Sequence, residues 1–438
     1  MPRASLARGV LYLCVLLVFC VFPLKSAPKQ ASLITAWPGN EIYELCGHEA
    51  IRITGPGIDS VWNYGVFNFE EPNFVYRFVK GETDYMVAGY PFAWFMPEYI
   101  NSGRRVEEQV LNLTPEEVEK LHALLRKAAT PPNNRYRYNY IKNNCSTQIA
   151  DLLDSVGNGN IIYPDTVKFE TYRDAMRGYH ANYPWYQFGI DLVLGNGLEE
   201  EMTPRQELFI PVEFNRQAAS AKLPDGRPLV KYTNVLYEGT GNAVYGPTPE
   251  FATPLWLSIA VAAISLILIA FYWRKNCIPK GWYAFYYGVA GLAGCLVSFL
   301  VFFSSHAATS PNLLIFWLNP LQLIVPLCLW WRKMKFAVNA MMWLNLAAVT
   351  MLIVLMPIFD KGQAGQTAIL ILMATDILLS AYYLYVSRNI SSDGNPQKKK
   401  GKRGAGKSSS RKKRTDSTRK SGRKEEYSDR IKIRYTEK

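Results

Sequence analysis

Residues that could carry out chemistry are scarce in this chain, and several familiar arrangements are missing. It has four histidines and seven cysteines among 438 residues. No pair of His or Cys has the spacing of a zinc site, no Gly-rich phosphate loop occurs, and no serine sits in a nucleophile elbow. These absences argue against a zinc hydrolase, a P-loop nucleotide enzyme and an α/β-hydrolase, and no cofactor or metal is expected. Acidic and apolar residues are almost missing from the C-terminal stretch, where KKKGKRGAGKSSSRKKRTDSTRKSGRK carries 14 Lys/Arg and one Asp. Most of the net charge of +13 lies there, so residues 389–438 read as a disordered basic tail. Behind a run of membrane spans, such a tail is better explained by orientation and attraction to anionic lipid heads than by nucleic-acid binding.

What the chain does have is long apolar runs. Residues 1–27 read as a secretory signal segment, a basic start followed by the 15-residue apolar core VLYLCVLLVFCVFPL. Lys25 makes the cleavage site poor, so an uncleaved anchor stays open. Five further runs, at about 254–273, 282–303, 313–331, 336–359 and 367–386, each approach the ~20 residues that cross a bilayer. They define an all-helical transmembrane domain over residues 251–388. Arg274, Lys275 and Lys280 follow the first span and Arg332, Lys333 and Lys335 the third, whereas SSHAATSPN and DKGQAGQ are nearly neutral. The positive-inside rule then places the basic loops and the tail in the cytoplasm and residues 28–250 outside it. Asn319–Pro320 should kink the third span. Asp376, a carboxylate within the fifth, is a functional-site candidate or else a hydrogen-bond partner of Asn339 and Asn345 in the fourth.

Residues 28–250 read as one α+β domain. EAIRIT and VWNYGVFNF alternate as strands across the turn GPGIDS. Thr114, Pro115 and Glu117 form an N-cap, first-turn proline and capping-box glutamate for a helix to about Ala129. Apolar Ile149, Leu152, Leu153 and Val156 recur at helical spacing behind NYIKNNCSTQ, which puts Cys145 in the first turn of a helix. There the unpaired N–H groups and the helix dipole favour thiolate over thiol. His48, at the start of the first of the two strands, is the favoured base. His122 lies on a charged helix and His306 between spans, while His180 remains open. The competing reading is structural: Cys46 and Cys145, the two cysteines of this domain, form a disulfide.

The succession GHEAIR, NYGVFNF, GETDYMV, LNLTPEE, YNYIKNNCSTQI, FGIDLVLG and TPRQELFIP, followed by five spans, resembles the Lnb family of lipoprotein N-acyltransferases of Bacteroidetes-type bacteria, over residues ~32 to 388. The resemblance implies a circularly permuted papain-like domain, of the NlpC and lecithin retinol acyltransferase type, in which His precedes Cys. It implies an enzyme in which Cys145 takes an acyl chain from a membrane phospholipid as a thioester and passes it to the α-amino group of a lipoprotein's diacylglyceryl-cysteine. His48 would be the base, and Asn63 is favoured over Asn68 as the residue orienting it. Helix N–H groups would hold the oxyanion, aided by Asn144 or Tyr138, and Arg52 would pair with Glu49 or a lipid phosphate. The implied setting is the bacterial inner membrane with the catalytic domain in the periplasm. The aromatic segments PFAWFMPEYI and NYPWYQFGIDLVL are candidates for contact with lipid head groups. Two other classes fit the residues: a membrane-anchored NlpC-type cysteine peptidase or amidase of the cell wall, and a non-catalytic disulfide-bonded sensor.

Overall fold

The computed structural model describes residues 28–67, 70, 72–157, 159–241, 245–359 and 361–393. The signal segment, Asn68 and the tail beyond residue 393 lie outside them.

Alternating residues build seven strands: β1 (Gln30–Ala36), β2 (His48–Gly55), β3 (Ile58–Val66), β4 (Asp84–Pro91), β5 (Val106–Leu111), β6 (Arg135–Arg137) and β7 (Val230–Tyr237). They form one antiparallel sheet in the order β6-β4-β3-β2-β1-β5-β7. Among the described residues, seven helices longer than four residues accompany it: α1 (Phe74–Lys80), α2 (Phe92–Asn101), α3 (Pro115–Ala128), α4 (Cys145–Val156), α5 (Tyr172–Tyr179), α6 (Pro184–Val193) and α7 (Pro211–Ala218). The 28–250 region is thus a mixed domain of sheet and helix, as expected.

Both faces of the central strands are covered. Leu33, Ile51 and Ile53 pack under Val118, Leu121 and Leu125 of α3, Ile149 and Leu153 of α4, and Phe214 of α7. Ile34, Ala50 and Val61 point the other way, onto Phe95 and Tyr99 of α2. Each fully buried side chain of this kind stabilises the domain by roughly 1.5–3 kcal/mol relative to exposure. Helix α3 begins at the expected capping box: Thr114 Oγ1 accepts from the Glu117 N–H at 3.2 Å, and the Thr114 N–H donates to Glu117 Oε2 at 2.7 Å.

Among the described residues, four helices are long and apolar enough to cross a membrane: α8 (Pro254–Trp273), α9 (Lys280–Phe303), α10 (Lys335–Phe359) and α11 (Thr367–Asp393). The expected third span is not one continuous helix. It is a succession of short turns, Leu313–Phe316, Pro320–Leu323 and Ile324–Cys328. Asn312 and Asn319 interrupt it by capping the N–H groups of Leu314 and Leu321 with their side chains, and Pro320 and Pro326 remove two donors. Irregular backbone at membrane depth must be covered by protein, and α9 covers it: a Cβ at Gly294 would fall 2.4 Å from the Asn319 nitrogen, so only glycine permits the approach.

The sheet domain and the bundle form one compact unit up to Asn389. Phe188 and Leu192 of α6 join the apolar cluster of Leu314, Trp317 and Leu352. Arg173 of α5, wholly buried, meets Asp191 at 2.7 Å and Glu199 at 2.5 Å. Glu199 in turn accepts from the Gly362 N–H at 2.9 Å, and Arg177 donates to the Gly362 carbonyl at 2.7 Å. The turn between α10 and α11 is thereby clamped to the sheet domain by charge as well as by apolar contact.

Candidate active site

Cys145 is the first residue of α4, and Asn144 is its N-cap. The thiol is 8% exposed. The backbone N–H groups of Glu49 and Ser146 donate to its sulfur, but burial outweighs them and pushes the thiol pKa up. Desolvation here opposes the thiolate-favouring helix terminus expected from the sequence.

His48 opens β2, and its Nε2 lies 2.5 Å from Asn63 Oδ1 on β3. Asn63 Nδ2 donates to the Tyr90 hydroxyl on β4 at 3.0 Å, which fixes which end of the amide faces the ring. With Oδ1 accepting, the ring proton resides on Nε2 and Nδ1 carries the free lone pair. Burial lowers the His48 pKa, and nearby Arg104 lowers it further; the imidazole is the neutral, basic form. β3 stays in register with β2 up to Asn63, Ala50 opposing Asn63. Just beyond, Gly65 has φ +89° and the pairing with β4 shifts between Tyr64 and Val66, a β-bulge. A Cβ there would lie 3.9 Å from both Cys145 Cβ and the Tyr136 hydroxyl.

A cavity of about 340 Å³ opens over this corner, lined by His48, Asn63, Gly65, Phe67, Tyr90 and Arg104 among others. Arg104 is itself buried, giving Nε to the Trp37 carbonyl and Nη1 to Glu44, both at 2.8 Å, while Nη2 has no partner among the described residues.

The other candidates are placed as follows. Asn144 is committed to structure: its Oδ1 caps the Thr147 N–H at 3.0 Å, and its Nδ2 donates to the Tyr140 and Phe209 carbonyls at 2.8 and 2.7 Å. Tyr138 stacks on Tyr85 at 4.1 Å, and its hydroxyl pKa is raised by burial and then by Cys145. Arg52 does not pair with Glu49, because strand residues three apart face opposite sides; it holds Asp59 at 2.7 Å and Glu108 at 3.1 Å and covers the Phe92 ring. Asn68 lies outside the described residues.

His180 belongs to another place, its Nδ1 donating to Gln187 Oε1 at 2.8 Å, and His122 sits beside Lys29. Cys46 and Cys145 are both free; Cys46 meets the Tyr140 hydroxyl at 3.2 Å and is pushed up to about 12 by burial. Asp376 is far from the cavity in chain and setting, within the bundle. It accepts from Tyr287 at 3.0 Å, Trp317 and Ser380 at 3.2 Å, and Gln322 and Asn345 at 3.5 Å. Asn339 bonds Ser387 instead.

Three residues escaped the sequence reading. Tyr90 and Arg104 reach the cavity only through strand pairing and the turn after α2. Glu49 was considered only as a partner for Arg52, yet it lies against the thiol wholly buried, with Oε2 accepting from Thr35 at 2.9 Å and the carboxyl driven by burial well above the usual range, which favours the neutral acid. Its position directly after His48 was the available signal.

Residues 24–178 match the Lnb N-terminal periplasmic domain, and residues 247–389 match the Lnb transmembrane domain. No curated protein and no solved structure matches the chain. The matches make this a membrane-anchored protein whose N-terminal domain is periplasmic.

Proposed function

The chain belongs to the Lnb family, and on that premise we propose that it is a lipoprotein N-acyltransferase of the bacterial inner membrane, with its basic tail in the cytoplasm. The observation that supports the reading is the buried thiol of Cys145 at a helix N-terminus, reached through Gly65, which lines the cavity of Asn63-held His48 and whose Cβ would lie 3.9 Å from that of Cys145, in a domain docked on membrane spans. We read the domain as a permuted papain-like one, its histidine strand preceding its cysteine helix.

In the first half-reaction Cys145 Sγ attacks the ester carbonyl of a phospholipid as His48 Nδ1 takes the thiol proton. The Cys145 and Ser146 amides receive the oxyanion. The C–O bond then breaks, and His48 returns the proton to the departing lysophospholipid oxygen, leaving a thioester. In the second half-reaction the α-amine of a diacylglyceryl-cysteine attacks that thioester, and His48 takes a proton from the amine. Collapse forms the amide, and the thiolate recovers its proton. A neutral thiol and a neutral imidazole suit a lipid-side cavity, since an ion pair there would carry a desolvation cost.

The test is mass spectrometry of the N-terminal peptide of a model lipoprotein in cells whose sole N-acyltransferase candidate is this protein or its Cys145→Ala form. A third acyl chain with the wild type and none with the variant supports transfer. An unmodified amine in both, with folded and inserted protein, removes it.

A further inference from the structure

Helix α1, FVYRFVK, is unusual for a water-facing element: Val75 is 72% exposed, Tyr76 56% and Phe78 46%. It is nevertheless held in place. Its last carbonyls are taken by the outer end of α9: His306 Nε2 donates to the Phe78 carbonyl at 2.8 Å, Ser304 Oγ to Val79 at 2.9 Å, and the Ser305 N–H to Lys80 at 2.8 Å. Tyr76 also meets Phe299 of α9, ring centroids 6.2 Å apart. The helix is therefore seated where a membrane-spanning helix leaves the bilayer, and its exposed apolar side chains are at the level of lipid.

From that seat an aromatic row leads inward. Phe78 stacks with Phe74 at 6.1 Å, Phe74 with Phe67 at 6.0 Å, and Phe67 lines the cavity of His48 and Asn63. Phe74 and Phe78 are four residues apart and share one helix face. At the polar end of the same cavity stands Arg104, with its buried, unpartnered Nη2. An apolar path starting at the bilayer and ending at a cation matches a molecule with an acyl chain and a phosphate. A lipoprotein's diacylglyceryl group offers the chains without the phosphate.

We propose that Phe78, Phe74 and Phe67 form the track along which the acyl chain of a donor phospholipid passes from the outer leaflet to Cys145, with its phosphate directed toward Arg104. The proposal rests on the transferase reading for its donor role, but the track is testable without turnover. The experiment uses the full-length Cys145→Ala protein in phosphatidylethanolamine and phosphatidylglycerol vesicles containing a phospholipid with a photoactivatable diazirine in its acyl chain. Crosslinked residues are mapped by mass spectrometry. Labels on Phe67, Phe74 and Phe78, with the Phe67 label falling about tenfold in Phe74→Ser, are expected. Labels confined to α8–α11, or preferred labelling of the row by a diazirine lipopeptide, would overturn the track. Labelling of the row in Cys145→Ala, with a wild-type protein that never acylates a lipoprotein amine, keeps the track and sinks the transferase reading; acylation by the wild type with labels elsewhere does the reverse.

Discussion

Asn63 Oδ1 lies 2.5 Å from His48 Nε2, and the same amide is turned by the Tyr90 hydroxyl at 3.0 Å, so one asparagine fixes both the tautomer and the orientation of the base. Removing it should leave the thiol in place and disorder the base. Asn63→Ala is expected to lower acyl transfer by about 10²-fold, while Cys145 stays alkylatable at an unchanged rate. Tyr90→Phe should produce a smaller loss in the same direction. Equal rates of transfer in wild type and Asn63→Ala would remove Asn63 from the mechanism.

The pH dependence follows from two opposed shifts. Burial lowers the His48 pKa, so the neutral base survives below the ordinary ~6.5 and activity is lost only as pH falls through the lower folded value. The unfolded chain binds that proton first, so His48 also makes acid destabilising across the same window. Burial raises the Cys145 pKa, so iodoacetamide alkylation should rise with a midpoint above the usual ~8.5. A midpoint near neutrality would indicate a thiolate–imidazolium pair instead.

Gly65 combines φ +89° with proximity to Cys145. Gly65→Ala places a side chain in left-handed backbone at a strain of about 1–3 kcal/mol, and the new methyl points at the nucleophile. Expected is a fall in the rate of thioester formation larger than the loss in thermal stability explains, measured by single-turnover acylation alongside thermal unfolding.

Buried Arg173 holds Asp191 and Glu199 of the sheet domain, and Glu199 in turn accepts from the Gly362 N–H of the bundle. Arg173→Met leaves Asp191 to Arg177 at 3.3 Å and to Gln366 and should destabilise the protein by at most about 3–5 kcal/mol, seen as an earlier thermal transition in detergent micelles. An unshifted transition would mean that the apolar contacts of Phe188 and Leu192 alone hold the two parts together.

Asp376 draws together Tyr287, Trp317, Gln322, Asn345 and Ser380, from α9, the interrupted third span, α10 and α11. Asp376→Ala leaves these donors facing an apolar interior at roughly 1–3 kcal/mol for each one left unpaired. The expected result is lower yield and a lower unfolding temperature, with Asp376→Asn in between. A stable Asp376→Ala protein lacking transfer activity would point instead to a part in the reaction.

The Cys145 helix and the capping box of α3 were legible because they are local: a cap, a first turn and an apolar period are written within a dozen residues. Runs of apolar residues likewise located the membrane domain. Composition and length found the third run but not its breaks, which come from Asn312 and Asn319 side chains capping backbone amides and from a cover supplied by Gly294 of α9.

By itself, then, the sequence determined which residue opens the Cys145 helix and where the apolar membrane domain lies, because hydropathy and helix capping act over short stretches of chain. Only the tertiary structure decided the burial of Cys145, which raises its thiol pKa against the helix terminus that the local sequence advertises. It also decided the partners of Arg52, the arrival of Tyr90 and Arg104 at the cavity, and the seating of α1 on α9. Each of these brings together residues distant in sequence, and strand pairing and interdomain packing set such distances.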